Sequence, residues 1–357
     1  MIINWYPGHM KKTHGLISDN LKLVDCVVEL LDARLPYSSR NPVFDGLVAD
    51  KPRVVALNKS DLTDPAAMRM WIEYYKAKGI TAIPIDALHG KGTAQLLSAV
   101  KEASHVLYEK LARQNRKERA IRMMIIGIPN VGKSSLINAL TGTQAAKVGN
   151  KPGVTKGKQW IRVREDIELF DTPGILWPKI DDTYVGLNLA YSGSIRDEIL
   201  VIEDVALYFL RDMLPRYGNL FVERYKVEVE GLEPAQVMEA IALKRGCIFS
   251  KDNVDYNRVA RLILDEFRKG VIGQMCLETP ETVKQHTEEQ AEAKAELLAK
   301  KAAEGAAFRA ETKATARSKG KFKAGDKRKS QTEDSLKPKG AGNTDQGRRK
   351  QGPKKSK

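Results

Sequence analysis

Residues 127–134 read GIPNVGKS, and this stretch decides the fold of the chain. It follows the apolar run MMII and leads into SSLINAL, so it joins a predicted strand to a predicted helix. Gly127 and Gly132 let the backbone curl until its N–H groups point inward, and the following helix adds the positive end of its dipole. The stretch therefore predicts a phosphate-binding loop.

The polar residues of this loop have expected roles. Lys133 is expected to reach the β- and γ-phosphates of a nucleotide, and the hydroxyl of Ser134 to bind Mg²⁺. Asp171, in DTPG after a later strand, is placed to hold the same ion through water. The predicted nucleotide-binding residues of the loop and of DTPG are Asn130, Val131, Gly132, Lys133, Ser134, Ser135 and Gly174.

A second motif, NKSD at residues 58–61, has the form that identifies a guanine base. It follows the strand RVVAL, and ligands bind at the carboxyl ends of strands in open α/β sheets. Asp61 can accept hydrogen bonds from N1–H and the exocyclic amine of guanine, a pair that adenine does not offer. Asn58 and Lys59 are expected to brace the loop and cover the base, and the backbone N–H of Ala87 to complete the pocket.

The order of the motifs is unusual, because NKSD precedes the phosphate loop and DTPG follows both. The sequence therefore predicts a circularly permuted guanine-nucleotide switch with GTP or GDP and Mg²⁺ as cofactors. Thr155, in KPGVTKG, is expected to bring its hydroxyl and carbonyl groups to Mg²⁺ and the γ-phosphate. The predicted magnesium ligands are Ser134, Thr155 and Asp171.

Alternating strand and helix signals through about residue 175 predict an α/β fold, with a mostly parallel sheet and helices on both faces. Beyond it, helical spacing predicts a small all-helical domain and then one exposed helix. The predicted strands are Val24–Leu31, Arg53–Leu57, Ala82–Ile85, Met123–Ile126 and Ile167–Phe170, and the predicted helices are 65–78, 93–112, 195–214, 234–245, 255–268 and 281–310.

Charge is distributed unevenly along the 357-residue chain. Residues 301–357 contain 18 Lys and Arg against 6 Asp and Glu, so they carry most of the net charge of +15. Such a basic segment, poor in aromatic and β-branched residues, is expected to be disordered alone and to bind a polyanion, most naturally RNA. The three cysteines show no metal-ligand spacing, and no signal peptide or membrane span is visible, so we expect a cytoplasmic protein without a structural metal.

Several motifs together resemble one family, the circularly permuted GTPases of the ribosome biogenesis GTPase A type. They are WYPGHMKK, DARLPYSSRNP, NKSD, GIPNVGKSSLINAL, PGVTKG, DTPG and FRKGVIGQMCLETP, which span about residues 1 to 280. The resemblance implies a GTPase stimulated by ribosomal subunits, acting in late assembly of the large (50S) subunit. It also implies binding to rRNA and ribosomal proteins, and we expect a monomer off the ribosome with no membrane partner. The implied domains are a circularly permuted P-loop GTPase domain (1–178), a helical RNA- or ribosome-binding domain (179–285) and a basic, largely disordered tail (286–357).

Two further roles are implied by the resemblance. Many switch GTPases place a glutamine after the DxxG glycine to orient the attacking water, whereas this chain has Ile175, whose aliphatic side chain cannot do so. The resemblance supports His9 as the group that orients that water, with Lys133 and Thr155 completing the catalytic set. It also implies that Asn130 helps to bind K⁺ beside the phosphates. The alternatives are that His9 caps a helix or contacts RNA, and that Asn130 only stabilises the loop.

Two other functions stay open from the sequence. One is a GTPase for assembly of the small subunit, which is disfavoured because the chain has neither a preceding OB-fold nor a cysteine-rich module. The other is an RNA-binding scaffold with a structural nucleotide site, in which the basic tail is the active part. A truncation after Gln285 separates these classes, because a scaffold loses its function whereas a switch loses mainly RNA affinity.

Overall fold

The computed structural model describes residues 20–48, 51–105, 109, 113, 119–142, 160–170, 180–250 and 253–330. Its first part is built on a six-stranded sheet with the strand order β3-β2-β1-β4-β6-β5. Neighbouring strands are parallel except β5, which runs antiparallel to β6. The strands are β1 (Cys26–Asp32), β2 (Arg53–Asn58), β3 (Thr81–Pro84), β4 (Ile121–Ile126), β5 (Trp160–Arg164) and β6 (Ile167–Phe170).

Helices cover both faces of this sheet, because alternate residues of the buried strands point to opposite sides. On β2, Val54 and Ala56 face one apolar core, whereas Val55 and Leu57 face another that contains Trp71. The mostly parallel α/β fold with helices on both faces is therefore confirmed. The helices of this part are α1 (Val43–Leu47), α2 (Pro65–Ala77), α3 (Thr93–Ala103) and α4 (Lys133–Thr141).

The sheet order explains how a permuted chain forms a nucleotide fold. Strand β4, which leads into the phosphate loop, lies beside β1, and Val28 pairs with Ile125 across these two strands. Strand β2, which leads into NKSD, lies on the other side of β1, where Leu31 pairs with Leu57. The parallel strands β1, β2 and β4 thus bring their carboxyl ends to one edge of the sheet.

A helical region follows, and its buried residues belong to the same continuous core as one face of the sheet. It contains α5 (Thr183–Tyr191), α6 (Ile202–Tyr225), α7 (Pro234–Arg245) and α8 (Tyr256–Arg268). Helix α6 continues through Pro215 because a kink at Tyr217 (φ −130°, ψ 20°) absorbs the proline. The prediction of helices alone was incomplete, since a short hairpin of β7 (Ile248–Ser250) and β8 (Asn253–Val254) joins α7 to α8.

The last described element is the helix α9 (Pro280–Ser330). It continues for twenty residues beyond the predicted end at residue 310, through a segment to which the sequence assigned no structure. By contacts, the chain divides into residues 1–285 and residues 286–357. Helix α3 ends at Ala103, nine residues before its predicted end, with Ser104 at its C-cap. Among the described residues, no helix is long and apolar enough to cross a membrane.

Candidate nucleotide site

The phosphate loop leaves β4 and curls tightly before α4 begins at Lys133. Asn130 and Gly132 both have positive φ, at 59° and 102°. A Cβ atom at Gly132 would lie 2.2 Å from Nδ2 of Asn58, and one at Gly127 would lie 2.6 Å from the carbonyl oxygen of Leu30. Both glycines are therefore required by close approach of neighbouring groups, which holds the loop in the curled form that a phosphate group needs.

Lys133 closes this loop from inside. Its Nζ atom donates hydrogen bonds to the carbonyl oxygens of Gly127 at 2.9 Å and Ile128 at 2.6 Å. Ser134 and Ser135 follow in the first turn of α4, and both are half-buried. The phosphate loop thus carries the ammonium group of Lys133 and leads into the N-terminus of α4, which together make a favourable environment for an anion.

Asn58 joins three loops at this edge of the sheet. Its Nδ2 donates to the carbonyl oxygen of Val131 at 2.7 Å, and its Oδ1 accepts from the N–H of Ala87 at 3.0 Å. Because Asn58 is buried, both bonds are shielded from water. The residues predicted to read the base and those predicted to hold phosphate are therefore connected by one side chain.

Lys59 makes a second connection between the two predicted halves of the site. Its Nζ donates to Oδ2 of Asp32 at 2.8 Å and to the carbonyl oxygen of Asn130 at 3.1 Å. Asp32 also forms a bidentate pair with Arg34, in which the nitrogen–oxygen distances are 3.0 and 2.8 Å. Burial by itself would raise the pKa of Asp32, but Arg34 and Lys59 more than offset it and hold that pKa well below its usual range.

Asp61 lies at the exposed rim of the site, in the 3₁₀ turn Ser60–Leu62. His89 lies close to it and contacts Asp86 through Nδ1 at 2.7 Å. Burial raises the pKa of Asp86, but hydrogen bonds from the backbone and ring of His89 outweigh it and lower that pKa. Sequence reasoning missed this contact of His89, and its position three residues after Asp86 was the signal that could have found it.

Four predicted site residues lie outside the described residues, namely His9, Thr155, Asp171 and Gly174. The structure brings together the others, from NKSD, Ala87 and the phosphate loop. It also adds Asp32 and Arg34, which the sequence placed in a family motif without a role. Asp32 ends β1 at the ligand-binding edge, and that position was the signal that could have marked it.

Comparison with known proteins gives the family of this chain. A family described as "50S ribosome-binding GTPase" matches residues 122–231. Ribosome biogenesis GTPase A of Bacillus cereus is 45% identical over 289 residues, which cover 81% of this chain and 98% of the relative. This chain belongs to the ribosome biogenesis GTPase A family. Mitochondrial ribosome-associated GTPase 1 of mouse is also similar, at 34% identity over 78% of this chain and 90% of the relative.

Solved structures agree with the ribosome biogenesis GTPase A family. GNP-bound YlqF from Thermotoga maritima matches with a TM-score of 0.55 and 27% identity, covering 76% of this chain and 99% of the solved one. A GDP-bound structure of TM YlqF matches with the same TM-score and identity, covering 74% of this chain and 99% of the solved one. The chain is therefore a GTP-hydrolysing enzyme of a ribosome-assembly family, and it binds guanine nucleotide.

Proposed function

We propose that this GTPase is a nucleotide-dependent switch in late assembly of the large (50S) ribosomal subunit, where it binds rRNA and ribosomal proteins. The observation that carries the proposal is the buried Asn58, which ties the guanine-reading loop (residues 58–62) to the phosphate loop and to Ala87. Family membership supports the ribosomal role, and the basic C-terminal segment supports contact with RNA. Ribosome-bound and free states then differ in their affinity for GTP and GDP.

In this proposal Asp61 identifies guanine, while Asn58, Lys59 and the N–H of Ala87 hold the base pocket. The amides of the phosphate loop, from Asn130 through Gly132, and the first turn of α4, with Ser134 and Ser135, hold the phosphate groups together with Lys133. The clash that a Cβ at Gly132 would produce supports this assignment, because it shows a cradle too tight for any side chain. Gly174 of DTPG completes the set next to the γ-phosphate.

The residues also suit the magnesium ion that switch GTPases typically use. Ser134 lies in the first turn of α4, directly after Lys133, where a hydroxyl group can face both an ion and a phosphate. Thr155 and Asp171 would supply the other protein oxygens. When bound, Mg²⁺ neutralises part of the negative charge on the phosphate oxygens. Lys133 and the loop amides orient the phosphate groups.

Two assignments concern the hydrolysis itself. His9 orients the attacking water, since Ile175 has no group that can do so. Asn130 contributes its side-chain oxygen to K⁺ beside the phosphates, because oxygen is the ligand that hard cations prefer. The hydrogen bond from Nδ2 of Asn130 to the carbonyl oxygen of Gly193, at 2.7 Å, supports this role by fixing the orientation of the amide.

Sedimentation with separated ribosomal subunits tests the proposal. Wild-type protein is expected to pellet with large subunits in a non-hydrolysable GTP analogue and to be released in GDP. Lys133→Ala is expected to lose this difference, whereas Lys76→Ala, an exposed lysine on α2, is expected to retain it. Equal pelleting in GTP analogue, GDP and no nucleotide, or a preference for small subunits, would contradict the proposal.

A further inference from the structure

The segment that joins α8 to α9 contacts the guanine-reading loop directly. The Nε2 atom of Gln274 donates a hydrogen bond to the carbonyl oxygen of Asp61 at 2.9 Å. One residue later, the N–H of Met275 donates to the carbonyl oxygen of Leu62 at 3.1 Å. Two successive residues of the helical region therefore fix two successive carbonyl groups of the loop that carries the guanine-selecting carboxylate.

Close packing leaves this joining segment little room to shift. Gly270 has a φ of 72°, and a Cβ atom there would lie 2.5 Å from Cδ2 of Leu62. At the end of the segment, the hydroxyl group of Tyr217 accepts a hydrogen bond from the N–H of Cys276 at 3.1 Å. The joining segment, defined as Gly270–Cys276, is thus held both by the kink of α6 and by the guanine-reading loop.

A second chain of contacts reaches the same loop through buried charges. Nζ of Lys59 donates to Asp32, and Asp32 pairs with Arg34. Arg34, which is only 1% exposed, donates from NH1 to the carbonyl oxygen of Phe267 at 3.2 Å, at the end of α8. The side chain of the motif lysine and the backbone of the motif aspartate are therefore both connected to the helical region.

We propose that the joining segment Gly270–Cys276 positions the guanine-reading loop, with Gln274 as a positioning residue for Asp61. The inference rests on the proposed function, because it assumes that Asp61 identifies guanine. Displacement of the helical region then releases the carbonyl groups of Asp61 and Leu62 and weakens guanine binding. By thermodynamic reciprocity, bound guanine nucleotide stabilises the position of the joining segment. A partner that displaces the joining segment thereby promotes nucleotide release, whereas a partner that binds the GTP form, as proposed for the large subunit, holds the segment in place.

Nucleotide dissociation from variants of the full chain tests this inference. Gln274→Ala removes the donor, and Gln274→Glu keeps the length of the side chain but replaces the donor with an acceptor. Val271→Ala is the matched control. Val271 is exposed in the same segment, so this variant also shortens a side chain there but leaves the hydrogen bond to Asp61 in place. Loss of one such hydrogen bond is expected to accelerate dissociation of fluorescent GDP about threefold to tenfold.

Base selectivity separates positioning from general destabilisation. Inosine diphosphate (IDP) lacks the exocyclic amine of GDP, so it can donate only its N1–H to Asp61 in the wild-type protein. We expect both Gln274 variants to lower the ratio of GDP affinity to IDP affinity, and kcat at saturating GTP to stay within about twofold of wild type. Val271→Ala is expected to leave dissociation and selectivity unchanged.

Hydrogen–deuterium exchange supplies a readout that does not depend on catalysis. GDP is expected to slow amide exchange in peptides covering Gly270–Cys276, and ADP is not. Wild-type dissociation, selectivity and exchange in both Gln274 variants would overturn the inference while leaving the proposed function intact. Failure of wild-type protein to prefer GDP over ADP would overturn the proposed function itself.

Discussion

Glu278 is a buried carboxyl group whose titration should be measurable in the stability of the protein. Its Oε1 accepts a hydrogen bond from the N–H of Ser38 at 2.8 Å and another from the N–H of Tyr37, and its Oε2 accepts from Oγ of Ser38 at 2.7 Å. Nδ2 of Asn188 donates to Oε2 at 3.2 Å. No salt bridge reaches Glu278 from the residues that the structure describes. Burial therefore outweighs these hydrogen bonds and raises the pKa of Glu278 from 4.5 to about 7.

The sign of the pH effect follows from proton binding. Between the unfolded and folded pKa values the folded state binds more protons at Glu278 than the unfolded state does, so the free energy of unfolding falls as pH rises. The contribution of Glu278 is fully present below the unfolded pKa of 4.5 and is lost as pH rises through about 7. One pKa unit corresponds to about 1.4 kcal/mol, so the total change is about 3 kcal/mol.

Urea unfolding of wild type and Glu278→Gln across this pH range measures the effect. The neutral glutamine retains the size of the side chain, so the variant lacks this titration while all other groups titrate as before. The stability of wild type relative to Glu278→Gln should fall by about 2 to 3 kcal/mol between about pH 5 and about pH 8. Glu281→Gln, an exposed glutamate three residues later, should show no such change. Parallel stability curves for wild type and Glu278→Gln, or a difference that grows with pH, would refute the reasoning.

Three substitutions in the nucleotide site have expected outcomes. Asn58→Ala removes two buried hydrogen bonds and should lower the free energy of unfolding, measured in urea, by about 2 to 3 kcal/mol. Calorimetry should also show a weaker GTP affinity, and unchanged stability would contradict the geometry. Gly132→Ala drives a Cβ into Asn58 at a positive φ, so GTP affinity should fall at least about tenfold, and wild-type affinity would count against the curled loop. Lys133→Ala should abolish measurable GTP hydrolysis in a phosphate-release assay while far-ultraviolet circular dichroism stays native, and retained turnover would remove Lys133 from the proposed site.

Elements with strong local signals were predicted closely. Strand β6 has the predicted bounds Ile167–Phe170, and α7 has the predicted bounds 234–245, where Pro234 opens the helix and Gly246 closes it. Strand β5 was missed because it is a five-residue edge strand whose apolar residues are only half-buried and are interrupted by Arg162 and Arg164, so it lacks a continuous apolar run. Helix α5 was missed because all of its residues from Val185 onward are buried, so it has no polar face to reveal a helical period.

In the site, too, the residues of short motifs were predictable, whereas contacts between residues distant in the sequence were not. Asn58, Lys59 and the phosphate loop belong to short motifs in which the sequence itself fixes the chemistry, and the structure brings them together. The contact of Gln274 with Asp61 joins residues more than 200 positions apart, so no local sequence pattern predicts it. Only the packing of the helical region against the sheet edge creates that contact, and a single sequence does not contain this information in readable form.

The contacts between the helical region and the nucleotide site differ in how easily they can be broken. The hydrogen bond from Gln274 to Asp61 is exposed, and its loss costs only about 1 kcal/mol. The pair of Asp32 and Arg34 is buried, and opening it would leave the buried guanidinium group of Arg34 without its carboxylate partner at a cost of about 3 to 5 kcal/mol. A partner that shifts the helical region can therefore release the guanine-reading loop first and leave the core in place. The coupling available to such a partner is then about 1 to 3 kcal/mol, which is enough to change nucleotide affinity by about fivefold to 150-fold without unfolding the domain.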